Sequence, residues 1–374
     1  MSNQSSSHSS SVIANDGNNP TTTKAGAHSL AEILSQPECW QACIDDLRAS
    51  KKLEQVNQQF AGATEWLFIG CGSSYYVALS AAATMSALTG LRARAIPASE
   101  ILLYPDQVLS SAINCVPVLI SRSGRTSEVL NAAELLKSRG VPTLAISCAP
   151  GQPLEELATN TILLPSADEQ STVMTRSFSS MLLTLQSLAA TIAGDSDFLN
   201  SVSKLPTAAA PNMKQLPGII HDFVAAQEFA DYVYLGQGPF YGLTCEGALK
   251  VTEMSVSYAQ AFHTLEFRHG PKSIVGPETL LVFMLSEAGY QAECEVLEEM
   301  KSLGGTTVAI VNKSDKRIRA ASDLVVELNL DVPELARLAV YLSTGQLIGL
   351  YSGLKKGLDP DSPRNLTRAV VLKG

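Results

Sequence analysis

A carboxylate, an amine and an imidazole occur within one short stretch of this chain. Glu246, Lys250 and Glu253 are spaced so that they share one face of a predicted helix. His269 follows in a His-Gly-Pro turn, which holds its imidazole on a constrained loop. Together these groups could open a sugar ring and transfer a proton between neighbouring carbons. The same spacing is also typical of a surface ion pair, and an isolated histidine is often purely structural.

Two turns rich in glycine and hydroxyl groups precede predicted helices. The first is GCGSS at residues 70–74, and the second is SRSGRT at residues 121–126. Free N–H groups and the helix dipole favour an anion at such positions, so these turns predict a phosphate site. Their serines could equally serve as helix N-caps. Neither turn is a Walker A loop, and Tyr75 stands where a dinucleotide-binding motif needs its third glycine.

The chain contains two copies of one folding unit. The segment WLFIGCGSSYYVALSAA (66–82) is echoed by YVYLGQGPFYGLTCEGA (232–248), and KSRGVPTLAI from Lys137 is echoed by KSLGGTTVAI from Lys301. Each copy has an apolar run, a Gly-x-Gly turn and a helical stretch, which indicates a tandem repeat. In the second copy the hydroxyl-rich turn becomes SEAGYQ (286–291), which contains a carboxylate. We therefore expect only the first copy to bind a phosphate.

Apolar runs alternate with helical stretches along both copies. Strands are predicted at 66–70, 93–96, 116–121, 143–147, 161–164, 232–236, 280–285, 306–311 and 324–327. Helices are predicted at 28–47 (interrupted by Pro37), 74–88, 126–138, 178–193, 244–258, 291–302 and 333–353. This alternation predicts an α/β fold with parallel sheets, in which ligands lie at the carboxyl ends of the strands. We expect a disordered tail at 1–27 and domains at 28–205 and 218–374, with the Pro/Ala-rich segment 206–218 as their boundary.

The composition excludes several classes of protein. Of the 374 residues, 45% are apolar and 17% are charged, which fits folded domains with buried strands. The net charge of −9 argues against a nucleic-acid partner, and no apolar run is long enough to span a membrane. The seven cysteines are scattered without a CxxC pair, which argues against a metal site and suits a reducing cytoplasm. The Ser/Asn/Thr-rich N-terminus lacks the apolar core of a secretory signal.

The motifs and their order resemble the double SIS (sugar isomerase) domain family, which includes the isomerase half of glucosamine-6-phosphate synthase. The family pattern C-G-T/S-S-Y is matched at residues 71–75, and its S-Q-S-G-E-T turn at residues 121–126. Its E-G-A-L-K-x-x-E helix is matched at residues 246–253, with His-Gly-Pro at the same distance beyond. The resemblance covers nearly everything after the N-terminal tail. It implies two tandem SIS-type domains, each a doubly wound, flavodoxin-like sandwich of three layers.

The resemblance also implies roles for individual residues. Lys250 would lie beside the reacting carbons, Glu253 would carry the proton between C1 and C2, and His269 would open the ring. The residues implied to bind the substrate are Ser73, Ser74, Ser121, Arg122, Ser123, Thr126, Glu246 and Arg368. The hydroxyl groups among them would hold the sugar phosphate. Neither a metal nor a cofactor is implied.

The chain departs from the synthase at several positions. Because Met1-Ser2 opens a short tail, we expect no glutaminase domain ahead of the first copy and therefore do not expect glutamine as the source of ammonia. Arg122 and Arg125 replace Gln and Glu in the hydroxyl-rich turn and add positive charge near the expected phosphate. Residues 172–178 read TVMTRSF in place of VASTKAF. Arg368 stands where the synthase has a lysine that can form an imine with a sugar carbonyl, which an arginine cannot.

Two other segments resemble the tagatose/galactosamine-6-phosphate isomerase–deaminase branch, namely SLAEILSQPECW (29–40) and FRHGPKS (267–273). We therefore expect a cytoplasmic enzyme that converts glucosamine or galactosamine 6-phosphate to a ketohexose 6-phosphate and ammonia. One alternative is plain aldose–ketose isomerisation of a phosphosugar such as tagatose 6-phosphate. Another is a non-catalytic regulator that binds a sugar phosphate. We expect a homodimer in which His269 serves the neighbouring subunit's site.

Overall fold

The computed structural model describes residues 24–109 and 114–372 and contains two sheets of five parallel strands. The first sheet has the order β2-β1-β3-β4-β5, with β1 (Glu65–Gly70), β2 (Arg92–Pro97), β3 (Cys115–Ile120), β4 (Leu144–Ser147) and β5 (Asn160–Leu163). The second has the order β10-β9-β8-β6-β7, with β6 (Asp231–Gly236), β7 (Ala259–Phe262), β8 (Thr279–Met284), β9 (Thr306–Val311) and β10 (Leu324–Glu327). Both have the strand order of a flavodoxin-like doubly wound sheet. The predicted fold class is confirmed.

Helices connect the strands and cover the sheets. Those of the first domain are α1 (Ala27–Leu34), α2 (Gln36–Ser50), α3 (Lys52–Gln59), α4 (Ser73–Thr89), α5 (Ala98–Leu103), α6 (Pro105–Val108), α7 (Ser127–Ser138), α8 (Pro153–Leu157) and α9 (Arg176–Ala193). The long helix α10 (Ser196–Ala226) leads to the second domain, which contains α11 (Phe240–Ser255), α12 (Tyr290–Ser302), α13 (Lys316–Ala321) and α14 (Leu338–Lys355). Within the described ranges no helix is long and apolar enough to cross a membrane.

Alternate residues of the central strands pack into different cores. On β1, Trp66 and Phe68 belong to a core that continues into the second domain, where Tyr234 of β6 and Val282 of β8 join it. Leu67 points to the opposite face and packs in a separate core with residues of α7. All six residues of β1 and of β8 are buried, because helices cover both faces of each sheet. This burial explains why the strands read as continuous apolar runs.

The structure differs from the sequence-based expectation in the segment 206–218. We expected an irregular boundary there, but the segment forms the middle of α10 and contains Pro206, Pro211 and Pro217. The helix persists because residues one or two turns apart, among them Leu205 and Ala209, are buried along one face. Of the predicted disordered tail, residues 1–23 lie outside the described ranges, and the first helix begins at Ala27.

The helix α11 carries the predicted catalytic residues. It packs against α14 with a very short distance between the two backbones. Gly345, Gly349 and Gly353 lie one turn apart on α14 and face α11. A Cβ atom at Gly349 would lie 2.8 Å from the backbone carbonyl of Lys250, and one at Gly353 would lie 2.2 Å from that of Met254. No side chain fits between the two helices at these points, so the glycines fix the position of α11 in the core.

The helix α4 of the first domain crosses the other end of α11. At the crossing, a Cβ atom on Gly242 would lie 2.5 Å from the backbone oxygen of Tyr76. The hydroxyl of Ser80 donates a hydrogen bond of 2.7 Å to the carbonyl of Pro239, just ahead of α11. The beginning of α4 is thereby brought against the face of α11 that carries the charged residues.

Candidate active site

The two domains meet at a hydroxyl, an amine and a carboxylate. Ser73, in the first turn of α4, donates a hydrogen bond of 3.1 Å to Oε1 of Glu246 on α11. The Nζ atom of Lys250 lies 3.2 Å from the same carboxylate oxygen and 3.5 Å from Oγ of Ser73. The end of the first Gly-x-Gly turn therefore contacts the charged face of the predicted helix.

Lys250 lies between two carboxylates. It forms ion pairs with both Glu246 and Glu253 on its own helix. The side chains of Lys250 and Glu246 have no exposed surface, whereas that of Glu253 is 17% exposed. Glu253 is therefore the carboxylate that solvent and small molecules can reach, while Glu246 is the buried ion-pair partner of Lys250. The complete burial of Lys250 and Glu246 excludes the alternative that they form an ordinary surface ion pair.

Burial sets the protonation of this cluster. Burial raises the pKa of Glu246 to about 7, against the opposing attraction of Lys250. Burial alone would lower the pKa of Lys250, but Glu246 and Glu253 together raise it. Lys250 therefore remains a cation at neutral pH, while Glu246 titrates close to neutrality.

The second hydroxyl-rich turn follows β3, which lies beside β1 in the sheet. Ser121 and Ser123 are buried in this turn. Oγ of Ser121 lies 3.2 Å from Oγ1 of Thr126, and Oγ of Ser123 accepts a hydrogen bond from the N–H of Arg125. Ser74 lies in the first turn of α4, at the matching end of β1. The carboxyl ends of β1 and β3 form the point at which doubly wound sheets of this order bind ligands.

The structure corrects the expectation that Arg122 adds a free positive charge beside the phosphate. Its buried guanidinium pairs with Glu169, with Nη1 at 3.0 Å from the carboxylate. It also donates hydrogen bonds to the backbone carbonyls of Val173, Thr172 and Arg368, at 3.0, 2.8 and 2.9 Å. The charge of Arg122 is thus neutralised inside the protein, so this residue positions backbone segments.

A cavity of about 410 Å³ lies between the second hydroxyl-rich turn and the C-terminal segment. Its polar lining includes Ser123, Arg125, Gln152, Asp168 and Arg368. The guanidinium of Arg368 forms an ion pair with Asp168. The lining therefore offers hydroxyl, amide and guanidinium donors together with the carboxylate of Asp168, which suits a ligand that carries both an anionic group and hydroxyl groups.

His269 lies on an exposed turn between β7 and β8. Its backbone N–H donates a hydrogen bond of 3.0 Å to the carbonyl of Glu266, and Gly270 beside it has a φ of 122°. Among the described residues, no hydrogen bond or ion pair joins the imidazole to Lys250 or Glu253. A single chain therefore brings the amine and the carboxylates together but leaves the imidazole apart.

In the second copy, the turn that matches the hydroxyl-rich one is filled by a carboxylate of the same chain. Glu293 on α12 accepts hydrogen bonds from the N–H and the hydroxyl of Ser286, at 2.7 and 2.9 Å. A Cβ atom on Gly289 would lie 2.5 Å from the Glu293 carboxylate, so the turn closes tightly around it. Burial raises the pKa of Glu293 to about 7, more than the hydrogen bonds from Ser286 lower it. This turn is already filled by a carboxyl group of the same chain, which supports the expectation of phosphate binding in the first copy alone.

Sequence reasoning missed the acidic residues Asp168 and Glu169. Glu169 is buried and accepts hydrogen bonds from the N–H and the hydroxyl of Thr175, at 2.6 and 2.8 Å. Burial would raise the pKa of Glu169, but Arg122 and Ser177 hold it below its ordinary value. Neither residue belongs to a spaced motif, and an acidic pair ahead of a hydroxyl-rich stretch was the one signal in the sequence. Across residues 24–109 and 114–372, no three His, Cys, Asp or Glu side chains are grouped to hold a metal ion.

Comparison with known proteins identifies the class to which this fold and site belong. The SIS domain matches residues 59–192, which contain the first sheet, and residues 213–349, which contain the second. The chain therefore belongs to the SIS domain family.

Three relatives show the extent of the similarity. Glutamine–fructose-6-phosphate aminotransferase (isomerizing) of Bacteroides thetaiotaomicron is 27% identical over 368 residues, which are 92% of this chain and 58% of that protein. The chain thus spans little more than half the length of the curated relatives it matches. Glucosamine-6-phosphate deaminase from Thermotoga maritima is 28% identical with a TM-score of 0.75, covering 92% of this chain and 100% of that chain. Tagatose-6-phosphate ketose/aldose isomerase from Escherichia coli shares the fold, with a TM-score of 0.80 at 22% identity, covering 95% of this chain and 99% of that chain.

Proposed function

We propose that this chain is an amino-sugar-phosphate isomerase and deaminase. Its substrate is a hexosamine 6-phosphate, such as glucosamine or galactosamine 6-phosphate, and its products are a ketohexose 6-phosphate and ammonia. The observation that carries the proposal is the buried Lys250 between two carboxylates, joined through Ser73 to the ligand end of the first sheet. The likeness to a glucosamine-6-phosphate deaminase over the whole of that chain supports the same class of substrate.

In this proposal the phosphate group binds between β1 and β3. The hydroxyl groups assigned to it are those of Ser74, Ser121, Ser123 and Thr126. The N–H groups at the start of α4 and α7 point toward the same end of the sheet and favour a negative charge. These contacts are equal in the ground state and the transition state, so they contribute to binding of the substrate more than to its turnover.

The chemistry is assigned to the charged face of α11 and to the imidazole. His269 transfers a proton between the ring oxygen and the C1 hydroxyl, which opens the ring to the aldehyde. Glu253 removes the proton from C2 and returns it to C1, so that the amino sugar passes through an enolamine to a C2 imine. The ammonium of Lys250 stabilises the negative charge that develops on O1. Water then adds to the imine, and loss of ammonia leaves the ketose.

The proposal includes a homodimer as the active form, with His269 acting in the site of the neighbouring subunit. The exposed position of His269, on a turn that leads away from α11, supports this arrangement. A cytoplasmic location is also proposed, and the seven free cysteines are consistent with a reducing compartment.

The test is a panel of hexosamine and hexulose 6-phosphates incubated with purified protein, without metal or nucleotide, while ammonia and ketose are both measured. Release of ammonia together with ketose supports the proposal. Interconversion of aldose and ketose without ammonia means a plain isomerase, and binding without any product means a regulator. Synthesis of an amino sugar that depends on glutamine contradicts the proposal. The Glu253→Gln variant, which keeps the size of the side chain, controls for contaminating activity.

A further inference from the structure

Two segments of the first domain and the C-terminal segment meet at the side chain of Arg122. The guanidinium extends from the hydroxyl-rich turn after β3 and contacts Glu169 and the carbonyls of Thr172 and Val173. Its Nη2 atom also donates a hydrogen bond of 2.9 Å to the carbonyl of Arg368. The planar, forked group of an arginine is needed to make these contacts in different directions.

Glu169 holds this guanidinium in place. The carboxylate is buried and is itself fixed by hydrogen bonds from the N–H and hydroxyl of Ser177, at 3.0 and 2.6 Å. Thr175 donates two further hydrogen bonds to the same carboxylate. Because these four hydrogen bonds fix the Glu169 carboxylate, its ion pair holds Arg122 toward the C-terminal segment.

The C-terminal segment 366–372 also forms hydrogen bonds with Ser127, directly after the hydroxyl-rich turn. The N–H of Ser127, which begins α7, donates a hydrogen bond of 3.1 Å to the carbonyl of Val370. The N–H of Leu372 donates one of 2.9 Å to the hydroxyl of Ser127. Asp168 pairs with the side chain of Arg368, and Arg122 holds the carbonyl of the same residue. Arg368 is therefore held at both its backbone and its guanidinium, on the wall of the 410 Å³ cavity.

We propose that Arg122, paired with Glu169, is a positioning residue that fixes the C-terminal segment so that Arg368 faces the 410 Å³ cavity beside Ser123. The hydroxyl-rich turn and the C-terminal segment then move as one unit, and a ligand held by Ser123 meets Arg368 at a fixed distance. Only the kinetic part of this inference rests on the proposed function. Its structural part concerns the mobility of the C-terminal segment without any ligand.

The experiment compares wild-type protein with Arg122→Lys. Lysine keeps a positive charge beside Glu169, so the fold is retained, but a single ammonium cannot also reach the carbonyl of Arg368. Amide hydrogen exchange is expected to become about 10-fold faster at Ser127 and Leu372, whose N–H groups donate the hydrogen bonds between α7 and the C-terminal segment, which corresponds to the loss of one hydrogen bond from a charged donor. Exchange in β6 is expected to stay unchanged. KM for the phosphosugar is expected to rise about 10-fold, with kcat within about 3-fold of wild type.

Arg139→Lys is the matched control, because Arg139 forms a solvent-exposed ion pair with Asp106 in the same domain. It should change neither exchange nor KM. Faster exchange throughout the protein in Arg122→Lys would overturn the inference, because Arg122 would then support the fold in general. Unchanged exchange at Ser127 and Leu372 would overturn it as well. If wild-type protein turns over no phosphosugar, the proposed function fails, and the exchange measurement alone decides the role of Arg122.

Discussion

Ser73 in the first domain and Glu246 in the second are joined by a hydrogen bond of 3.1 Å, although 173 residues separate them in the chain. Ser73 follows the Gly-x-Gly turn of the first sheet, and Glu246 is the buried partner of Lys250. This hydrogen bond joins the predicted phosphate-binding turn after β1 to the charged face of α11. The duplicated fold therefore supplies one composite site, with different parts from each copy.

We expect Glu253→Gln to lower kcat by roughly 10²–10⁴-fold with little change in KM, because a proton carrier acts only as the barrier is crossed. Of the two carboxylates beside Lys250, only Glu253 is partly exposed, so it is the one expected to contact the substrate. The measurement is steady-state kinetics on the best substrate of the panel. The exposed Glu134→Gln, on α7, is the control. A variant with normal kcat and raised KM would mean that Glu253 only binds the sugar.

The double variant Ser121→Ala with Ser123→Ala should show the opposite pattern. Two hydroxyl donors to a charged phosphate are lost, so we expect KM to rise by about 10²-fold, while kcat changes little. The control is Ser138→Ala, an exposed serine at the end of α7. Binding of the sugar phosphate, measured by calorimetry, should weaken in parallel. Normal binding with a lost kcat would show that this turn takes part in the chemistry instead.

Much of the fold could be predicted from the sequence because strands covered on both faces are apolar at every position. The strand β7 was missed, because its sequence AQAF is only half-buried at the edge of the sheet. The helical course of residues 206–218 was also missed, because packing of one apolar face outweighs the three prolines. Both errors arise where tertiary contacts override local preference.

The candidate site was predicted in part. Motif spacing identified Lys250 and its carboxylates, because one helix face is a local property of the sequence. The roles of Arg122 and Glu169 could not be predicted, since their pairing depends on how the loop after β5 folds back on the turn after β3. The contact of Ser73 with Glu246 likewise depends on how α4 crosses α11.

Gly349→Ala should destabilise the protein and lower kcat. The new Cβ would lie 2.8 Å from the backbone carbonyl carbon and oxygen of Lys250, so α11 must shift. We expect the free energy of unfolding to fall by about 1–3 kcal/mol. Gly218→Ala is the matched control, because Gly218 lies in the helix α10 with nothing within 4 Å of the new Cβ. It should raise stability by up to about 1 kcal/mol. If urea unfolding gives the same change in stability for both substitutions, the two helices can move apart without a loss of stability, and the close packing of α14 on α11 is not required.

Glu293→Gln should remove a pH dependence from the stability of the protein. The pKa of Glu293 is raised from 4.5 to about 7, so the folded chain keeps this proton over a range where the unfolded chain has lost it. Glu293 therefore lowers the free energy of unfolding progressively as the pH rises from about 4.5 to 7. Below that window the group is protonated in both the folded and the unfolded chain, so it makes no difference to stability. The shift corresponds to roughly 3 kcal/mol across the window.

Urea unfolding at several pH values checks this prediction. Between pH 5 and pH 8, Glu293→Gln should gain stability relative to wild type. Glu295→Gln, an exposed residue on the same helix, should follow wild type at every pH. A constant difference between wild type and Glu293→Gln over the whole range would mean that Glu293 is ionised in the folded protein throughout.

The shared site is tested by mixing two variants that are each inactive, His269→Ala and Glu253→Gln. His269 lies on an exposed turn, while Glu253 lies on α11 beside the buried Lys250. If His269 acts in the neighbouring subunit, each mixed dimer contains one site with both groups intact, and another site that lacks both. Activity should then recover to about half of that of wild type per mixed dimer as the subunits exchange. Exchange confirmed by labelled subunits, without recovered activity, would place His269 in the site of its own chain.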